Sequence, residues 1–380
     1  MKAATKNYIR AVLMMTGMVI GVGLFGLPYV IAKSGAVIGI LYFIAISIII
    51  FSNHLIYGET LLRTGLRHRL AGLAGLYLGK WWKRIAIVAS TLGFYAVIVA
   101  YIIMGGQFLH TLLSPFLGGN PLVYQVVFFA IMAGIILVGL KTIIFSESLM
   151  TVLEILGVIF LAILAATKLN FSNFLNFNSQ EFFAPYGVIL FAIAGAPAVP
   201  EVLEIMSRDK KSAKKAIFWG SFIPTILMAA FAFAVVGLGG EITKDGISGL
   251  GIIFGSWVSY VGAAFGLFAV ATSFLPLALY AKEQFNFDFK LNGVFSWFLA
   301  CVVPFAIFLF GTKDFITIIS FSGAVFSGFE AFLVLWIYKR ARENGERKPE
   351  YEMRLPLAFL VVMGVIFLLG MVYEISTFFT

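Results

Sequence analysis

Gly17-Met18-Val19-Ile20-Gly21-Val22-Gly23-Leu24-Phe25-Gly26-Leu27-Pro28 lies inside the first long apolar segment and is the stretch that decides the fold. Four glycines and a proline in twelve residues disfavour a continuous helix. At bilayer depth, backbone can leave the helical pattern only where protein or a water-filled cavity receives its polar groups. The stretch therefore predicts a broken membrane helix with a binding site at the break. The alternative is a kinked, continuous helix whose small residues allow close packing.

The composition predicts a polytopic membrane protein. Of the 380 residues, 61% are hydrophobic and 12% are charged, against about 45–50% and about 25% in soluble proteins. A single cysteine, Cys301, excludes an intrachain disulfide. The sequence contains no P-loop, no Gly-x-Ser-x-Gly motif and no zinc-type His/Glu spacing. We therefore expect neither an enzyme nor a nucleotide-driven pump.

Apolar runs of about 20 residues mark the membrane spans. Short polar or Gly/Pro-containing joints separate them, and we expect one transmembrane domain over 1–380. The eleven predicted spans are 10–32, 36–61, 84–112, 121–140, 149–168, 183–206, 214–238, 251–281, 292–310, 315–338 and 355–376.

Lysine and arginine positions predict the orientation. With the N-terminus inside, 23 of the 27 basic residues fall in cytoplasmic segments, and only Lys33, Lys168, Lys244 and Lys313 fall outside. This predicts an integral protein of the plasma (inner) membrane with a cytoplasmic N-terminus and an external C-terminus. The net charge of +9 is then a topology signal that favours lipid contact, and no nucleic acid partner is expected.

The sixth span repeats the anomaly of the first. Gly195 precedes Pro200 by five positions, as Gly23 precedes Pro28. Paired broken helices in inverted repeats place a site at the membrane midplane. We therefore predict inverted repeats over 10–168 and 183–338 with an extra helix at 355–376; two unrelated kinks are the alternative.

Three motifs carry a family resemblance. Ile20-Gly21-Val22-Gly23-Leu24-Phe25-Gly26-Leu27-Pro28 resembles the first helix of the amino acid/auxin permeases and the hydroxy/aromatic amino acid permeases. Tyr186-Gly187-Val188-Ile189-Leu190-Phe191, followed by Val199-Pro200-Glu201, is similar to their sixth helix, and Ala271-Thr272-Ser273-Phe274-Leu275 to their eighth. Both families belong to the amino acid–polyamine–organocation superfamily, and the resemblance covers essentially the whole chain.

The resemblance implies the all-α leucine-transporter fold, with two inverted five-helix repeats plus one extra helix. It also implies that helices 1, 2, 6 and 7 move as a bundle against a scaffold of helices 3, 4, 8 and 9.

An amino acid zwitterion at the midplane needs partners for both charges. Amide groups at the positive end of the second half of helix 1 suit its carboxylate. Carbonyl groups freed by the two breaks suit its ammonium group. The resemblance places Phe191 near the substrate as a lid, although packing explains it equally well. The small residues of helix 6 leave room for an apolar or aromatic side chain. The predicted substrate-binding residues are Gly21, Val22, Gly23, Leu24, Tyr101, Phe191, Ala192, Ala194 and Gly195.

The coupling ion is predicted to be Na⁺ or H⁺, with no other cofactor. The Ala269-x-x-Thr272-Ser273 spacing resembles the sodium site of sodium-coupled members of the superfamily, completed by the carbonyls of Gly17 and Ile20. Hydrogen bonding within helix 8 explains the two hydroxyls equally well. The hydroxy/aromatic permeases are generally proton-coupled, and intramembrane carboxylates are the candidates for that role. These candidates are Glu154, Glu201 and Glu330. Glu59 and Glu204 each have an arginine four residues later, which predicts a simple ion pair for each.

The sequence thus predicts an ion-coupled amino acid symporter that works by alternating access. The alternative is a non-transporting amino acid sensor of the same fold.

Overall fold

The computed structural model of the protein describes residues 3–64, 68–138, 147–207, 209–240, 242–288 and 290–378. Within these ranges the chain is mostly α-helical. The helices are α1 (Ala3–Val19), α2 (Gly23–Ser34), α3 (Ala36–Thr64), α4 (Leu70–Tyr77), α5 (Lys80–Leu117), α6 (Pro121–Val138), α7 (Glu147–Ala166), α8 (Ala184–Ile193), α9 (Val199–Ile205), α10 (Lys210–Leu238), α11 (Ser248–Phe254), α12 (Ser256–Asp288), α13 (Gly293–Trp297), α14 (Val303–Phe310), α15 (Phe315–Phe321), α16 (Gly328–Asn344) and α17 (Leu357–Phe378).

Short irregular helices join some of these elements. Three 3₁₀ turns cover Phe171–Leu175, Ser179–Glu181 and Ala196–Ala198. Two π-helical turns, Phe298–Val302 and Ser322–Ser327, interrupt the ninth and tenth spans. A π turn inside an α-helix is frequent at functional sites.

The number of spans agrees with the sequence prediction. Ten helical segments of the described residues are long and apolar enough to cross a membrane, and the bent pair α1–α2 gives an eleventh. One predicted boundary is wrong, because 251–281 begins inside α11 rather than α12. Gly255 separates these two helices with a φ of 96°, a conformation that glycine adopts without steric cost. The predicted repeats, 10–168 and 183–338, stay a prediction.

Both predicted breaks are present. The axes of the two halves of the first span differ by 56° across Ile20–Val22. In the sixth span, α8 ends at Ile193, and the Ala196–Ala198 turn leads into α9. The first span is therefore broken rather than kinked and continuous, which confirms the first reading of its sequence.

The two breaks lie side by side. α1 packs against α7 and α10, while α2 packs against α8 and α10. A Cβ on Gly23 would lie 2.7 Å from the Cα of Ala192, so the start of α2 and the end of α8 touch through their backbones. The largest interhelix contact of the scaffold joins α5 and α12.

Parts of the sequence predictions lie outside the described residues. These are the end of the fourth predicted span, at 139–140, and four basic residues used for the orientation, Lys2, Arg67, Lys141 and Arg208. The predicted Glu204–Arg208 ion pair is among them.

Candidate functional site

A cavity of about 660 Å³ lies where the two breaks meet. It is lined by the broken ends of spans 1 and 6, by α5, α7 and α12, and by the π turn Ser322–Ser327. It extends to Ser90 near the start of α5 and to the exposed Glu283 near the end of α12. The predicted site residues that line it are Gly17, Gly21, Val22, Gly23, Tyr101, Glu154, Phe191, Ala192, Ala194, Gly195, Glu201, Thr272, Ser273 and Glu330.

Three predicted residues do not line this cavity. Ile20, Leu24 and Ala269 are at most 2% exposed and face the packed core. Their side chains therefore have packing roles, and only their backbone groups remain candidates for ligand contact.

The amide donors of the first break are fewer than the sequence predicts. The Leu24 N–H donates to the Gly21 carbonyl at 3.1 Å, and the Phe25 N–H donates to the Val22 carbonyl at 3.2 Å. Tight i→i+3 bonds of this kind commonly satisfy groups at a helix end. The Leu24 N–H thus has an acceptor within the chain, Val22 and Gly23 are the better candidates for amide ligands, and the binding role of all three stays a prediction.

Two carbonyl groups of the second break also already accept hydrogen bonds from within the chain. The Ala194 N–H donates to the Phe191 carbonyl at 3.4 Å, and the Ala198 N–H donates to the Gly195 carbonyl at 3.0 Å. The carbonyls of Ala192 and Ala194 are therefore the better candidates for an ammonium group.

Phe191 of α8 packs between two other elements, α2 and the π turn Ser322–Ser327. A Cβ on Gly23 of α2 would lie 3.0 Å from its Cδ1, and one on Gly323 of the π turn would lie 2.8 Å from its Cβ. The ring is half-buried and lines the cavity. Its contacts on both sides explain its position by packing, and its role as a lid stays a prediction.

Tyr101 is the tyrosine of α5 that faces the site. A Cβ on Gly21 would lie 3.5 Å from its hydroxyl oxygen, and the same hydroxyl bonds to Ser273 of α12. Tyr101 thus connects the first break to α12 at the cavity wall.

Glu154 and Thr272 meet across the interface of α7 and α12. The Thr272 hydroxyl oxygen lies 2.9 Å from a Glu154 carboxyl oxygen and 3.0 Å from the Ala269 carbonyl oxygen. Glu154 is 3% exposed. Thr151, one turn earlier on the same face of α7, packs its hydroxyl group closely against Gly17. One of the three acidic candidates, Glu154, therefore lies next to Thr272 of the predicted sodium site.

The other two acidic candidates, Glu201 and Glu330, also line the cavity. Glu201 forms an ion pair with Arg69, which precedes α4, at 3.5 Å. Glu59 pairs with Arg63 at 2.8 Å, as predicted. Among the described residues that line the cavity there are four glutamates, Glu154, Glu201, Glu283 and Glu330, and neither lysine nor arginine.

Sequence reasoning missed Thr151, Glu283 and Asn53 as cavity residues. The first could have been found, because it lies three positions before Glu154 and shares its helix face. Asn53 donates to the Ala331 carbonyl at 2.9 Å, a contact between distant spans that no local pattern indicates.

The opposite side of the breaks is closed by aromatic packing. The ring of Phe25 lies 4.9 Å from that of Phe108 and 6.3 Å from that of Phe265. Phe25 is fully buried. The cavity thus extends towards Glu283 near the end of α12, whereas Phe25 and its aromatic neighbours fill the opposite side of the breaks.

Comparisons with known proteins bear on the family and the fold. The chain is 20% identical over 377 residues to "Glutamine transporter 2" of Aliivibrio fischeri, covering 96% of this chain and 97% of that protein. It is 22% identical over 387 residues to "Tyrosine-specific transport system 1" of Haemophilus influenzae, covering 94% of each. The crystal structure of MhsT in complex with L-phenylalanine matches with a TM-score of 0.67 and 16% identity, over 97% of this chain and 98% of that one.

The structural match confirms the predicted leucine-transporter fold. The relatives are transporters rather than enzymes, in agreement with the sequence prediction. Because the tryptophan/tyrosine permease family matches residues 4–376, almost the whole length, the chain belongs to that family of integral membrane amino acid transporters.

Proposed function

We propose that this protein is a proton-coupled transporter of neutral amino acids, with aromatic or other large apolar side chains as its best substrates. Two relatives are named as a glutamine transporter and a tyrosine-specific transport system, and the structure of MhsT is a complex with L-phenylalanine. The cavity wall contains the rings of Phe94, Phe191 and Phe326. Because the described residues of its lining include four carboxyl side chains and neither lysine nor arginine, an acidic substrate side chain meets repulsion there.

The substrate backbone is proposed to bind between the two breaks. Its carboxylate takes the N–H groups of Val22 and Gly23 at the positive end of α2. Its ammonium group takes the carbonyls of Ala192 and Ala194 at the negative end of α8. The Tyr101 hydroxyl lies beside Gly21 and is proposed to donate one hydrogen bond to the carboxylate.

The contact of Glu154 with Thr272 carries the proposal of proton coupling. The Thr272 hydroxyl has one hydrogen and can donate one full hydrogen bond. Two possible acceptors, a Glu154 carboxyl oxygen and the Ala269 carbonyl oxygen, both lie within 3.0 Å of it. A protonated Glu154 resolves this, since it donates to Thr272 while Thr272 donates to the Ala269 carbonyl. Loss of the proton reverses the first bond and leaves a buried carboxylate, which is unfavourable without a charged partner.

This pair is well placed to couple the ion to the conformational change. Thr272 belongs to α12, the eighth span, which is part of the proposed scaffold. Gly17 belongs to α1, the first half of the first span, which is part of the proposed moving bundle. Gly17 also touches the turn of α7 that precedes Glu154. Proton release from Glu154 would then alter the contact between the two bodies. A Na⁺ ion held by Gly17, Ile20, Ala269, Thr272 and Ser273 is the competing outcome.

The closed aromatic side and the cavity that reaches Glu283 support an inward-facing conformation. We propose that the N-terminus is cytoplasmic, the C-terminus external and the host membrane the plasma membrane, as the distribution of basic residues predicts.

Uptake of radiolabelled L-tyrosine into proteoliposomes tests the proposal. An inward proton gradient is expected to drive accumulation by the wild type. Glu154→Gln should retain exchange and lose accumulation, while Glu283→Gln, an exposed carboxyl of the same cavity, serves as the matched control.

Two results would contradict the proposal. Accumulation by Glu154→Gln on a proton gradient would exclude this carboxyl as the proton site. Accumulation that needs a sodium gradient and fails in the Thr272→Ala/Ser273→Ala double variant would establish sodium instead.

A further inference from the structure

His54 of α3 contacts the break in the sixth span through a hydrogen bond. Its side chain is 1% exposed, and it is one of the residues that line the cavity. The Gly195 N–H donates to its Nε2 at 3.1 Å. Its Nδ1 lies 2.9 Å from the Ser221 hydroxyl oxygen of α10. One imidazole thus connects three spans of the proposed moving bundle.

The hydrogen-bond network specifies a single neutral form of this histidine. The Ser221 hydroxyl lies 2.9 Å from the Ile217 carbonyl and donates to it, so its oxygen accepts a bond from His54. The Nδ1 must then carry the hydrogen, and Nε2 must be the bare acceptor that Gly195 requires. The tautomer is assigned from these partners.

The bond to Gly195 fixes one peptide unit of the break. Gly195 is tightly enclosed, because a Cβ there would lie 2.7 Å from Val19 Cγ2 and 3.3 Å from His54 Cε1. A buried N–H without an acceptor costs about 1–3 kcal/mol. In a trans peptide the carbonyl of the preceding residue points opposite to the N–H. When His54 holds the Gly195 N–H, it therefore also sets the direction of the Ala194 carbonyl.

We propose that His54 is a positioning residue that clamps the Ala194–Gly195 peptide and thereby aims the Ala194 carbonyl at the substrate ammonium group. This inference rests on the proposed function, since it concerns the same substrate site. Ser221 acts indirectly, because its hydroxyl oxygen accepts a hydrogen bond from His54 and so fixes the tautomer of the imidazole. Ser221 itself is 1% exposed and is not part of the cavity lining.

Two amide variants separate the clamp from general packing. Asn at position 54 places its polar atoms near the depth of Nδ1 and offers no acceptor at Gly195. Gln is longer by one methylene and places a carbonyl oxygen near the depth of Nε2. His110→Asn is the matched control, because this half-buried ring packs against Tyr124 at 5.1 Å, away from the cavity.

Two measurements on the substrate-free protein test the clamp without any substrate. Hydrogen exchange should be slow at the Gly195 amide in the wild type, at least about tenfold faster in His54→Asn, and restored in His54→Gln. Nitrogen NMR of labelled histidine should show His54 with its hydrogen on Nδ1. Equal exchange in all three proteins, or a hydrogen on Nε2, would overturn the clamp.

Binding measurements with L-tyrosine, L-tryptophan and L-glutamine test whether the clamp contributes to substrate affinity. His54→Asn should raise the dissociation constant at least about tenfold, with His54→Gln and His110→Asn within about threefold of the wild type. Ser221→Ala should also weaken binding, although it touches no cavity surface, and an unchanged constant would refute its role through His54. If the wild type binds none of the three amino acids, the proposed substrate class is wrong, and the exchange measurement still decides the clamp.

Discussion

Single residues at the first break show that glycine acts there mainly by allowing close approach. Gly21 and Gly23 are not among the glycines with positive φ. Gly23 instead touches the backbone of Ala192, while a Cβ on Gly21 would meet only the Tyr101 hydroxyl at an ordinary 3.5 Å. The two glycines therefore differ in their surroundings: Gly23 is tightly packed, whereas Gly21 faces the proposed substrate site.

A matched pair of alanine variants tests this difference. Gly23→Ala should lower the apparent melting temperature, because an overpacked contact costs about 1–3 kcal/mol. Gly21→Ala should leave that temperature unchanged and weaken amino acid binding, since its methyl group enters the space beside Tyr101. Thermal unfolding and a binding titration of both variants provide the measurement. Equal melting temperatures for the two would contradict the packing role of Gly23.

Residue pairs also show where sequence reasoning stops. Glu59 and Arg63 are neighbours on one helix face, so their ion pair was predictable from spacing. Glu154 with Thr272 and Glu201 with Arg69 join different spans, and their pairing depends on how the helices pack. The sequence therefore pointed to candidate residues without showing which of them meet in the structure.

At the scale of elements, the connection 345–356 between α16 and α17 is fastened to α3. The fully buried Glu59 accepts a bond from the Met353 N–H and pairs with Arg63, while the Tyr351 hydroxyl donates to the Leu55 carbonyl at 2.7 Å. Burial of the Tyr351 hydroxyl raises its pKa well above the usual value, so it remains a donor at physiological pH. These contacts hold the connection against a bundle helix.

Removal of the Glu59 charge should release this connection. Glu59→Gln leaves Arg63, which is 12% exposed, with only the weaker partner Glu352 at 3.3 Å. Breaking a buried pair costs about 3–5 kcal/mol, so we expect a lower melting temperature and faster hydrogen exchange over 346–354. Glu352→Gln is the control, because Glu352 is 46% exposed and should have a small effect. Similar effects of the two substitutions would show that the burial of Glu59 is unimportant.

On the side of the breaks that is packed by Phe25, the segment before α11 is joined to the start of α15 by the ion pair of Lys244 and Asp314. Burial alone would raise the pKa of Asp314, but the Lys244 ammonium and the bonds from Thr317 outweigh it and hold the pKa of this carboxyl below its usual range. Gly246 of the same segment lies against the Phe25 carbonyl. The pair thus helps to hold this segment over the closed side of the site.

The depressed pKa of Asp314 gives a pH dependence of known sign. Its stabilisation is present above the ordinary aspartate pKa of about 3.9 and is lost as the pH falls through the lower folded-state value. Asp314→Asn, which can still cap α15, should lower stability by up to about 1 kcal/mol at neutral pH. Melting curves across pH should show the difference from the wild type disappearing in acid. A difference that persists in acid would exclude the ion pair as its source.

At the scale of the whole molecule, the sequence predicted the spans well because the bilayer imposes a minimum apolar length on every crossing helix. The two breaks were also predictable, since glycine and proline disfavour helix and the membrane tolerates the resulting backbone only at a site. The join of α11 and α12 was missed because both helices are apolar and only Gly255 separates them. The direction in which the cavity opens was not predictable, because it depends on which helices have closed over the break.

That direction can be measured with introduced cysteines. The native Cys301 is fully buried, so new thiols report against a low background. A cysteine at Ser90 samples the cavity, and one at Ser179 samples the exposed 3₁₀ turn on the opposite side. In intact cells, a membrane-impermeant maleimide should label Ser179→Cys and spare Ser90→Cys. In inside-out vesicles it should label Ser90→Cys, and L-tyrosine should slow that reaction by filling the cavity. Labelling of Ser90→Cys from outside would reverse the proposed orientation, because Ser90 lies at the mouth of the cavity and the aromatic contacts of Phe25 block access from the other end.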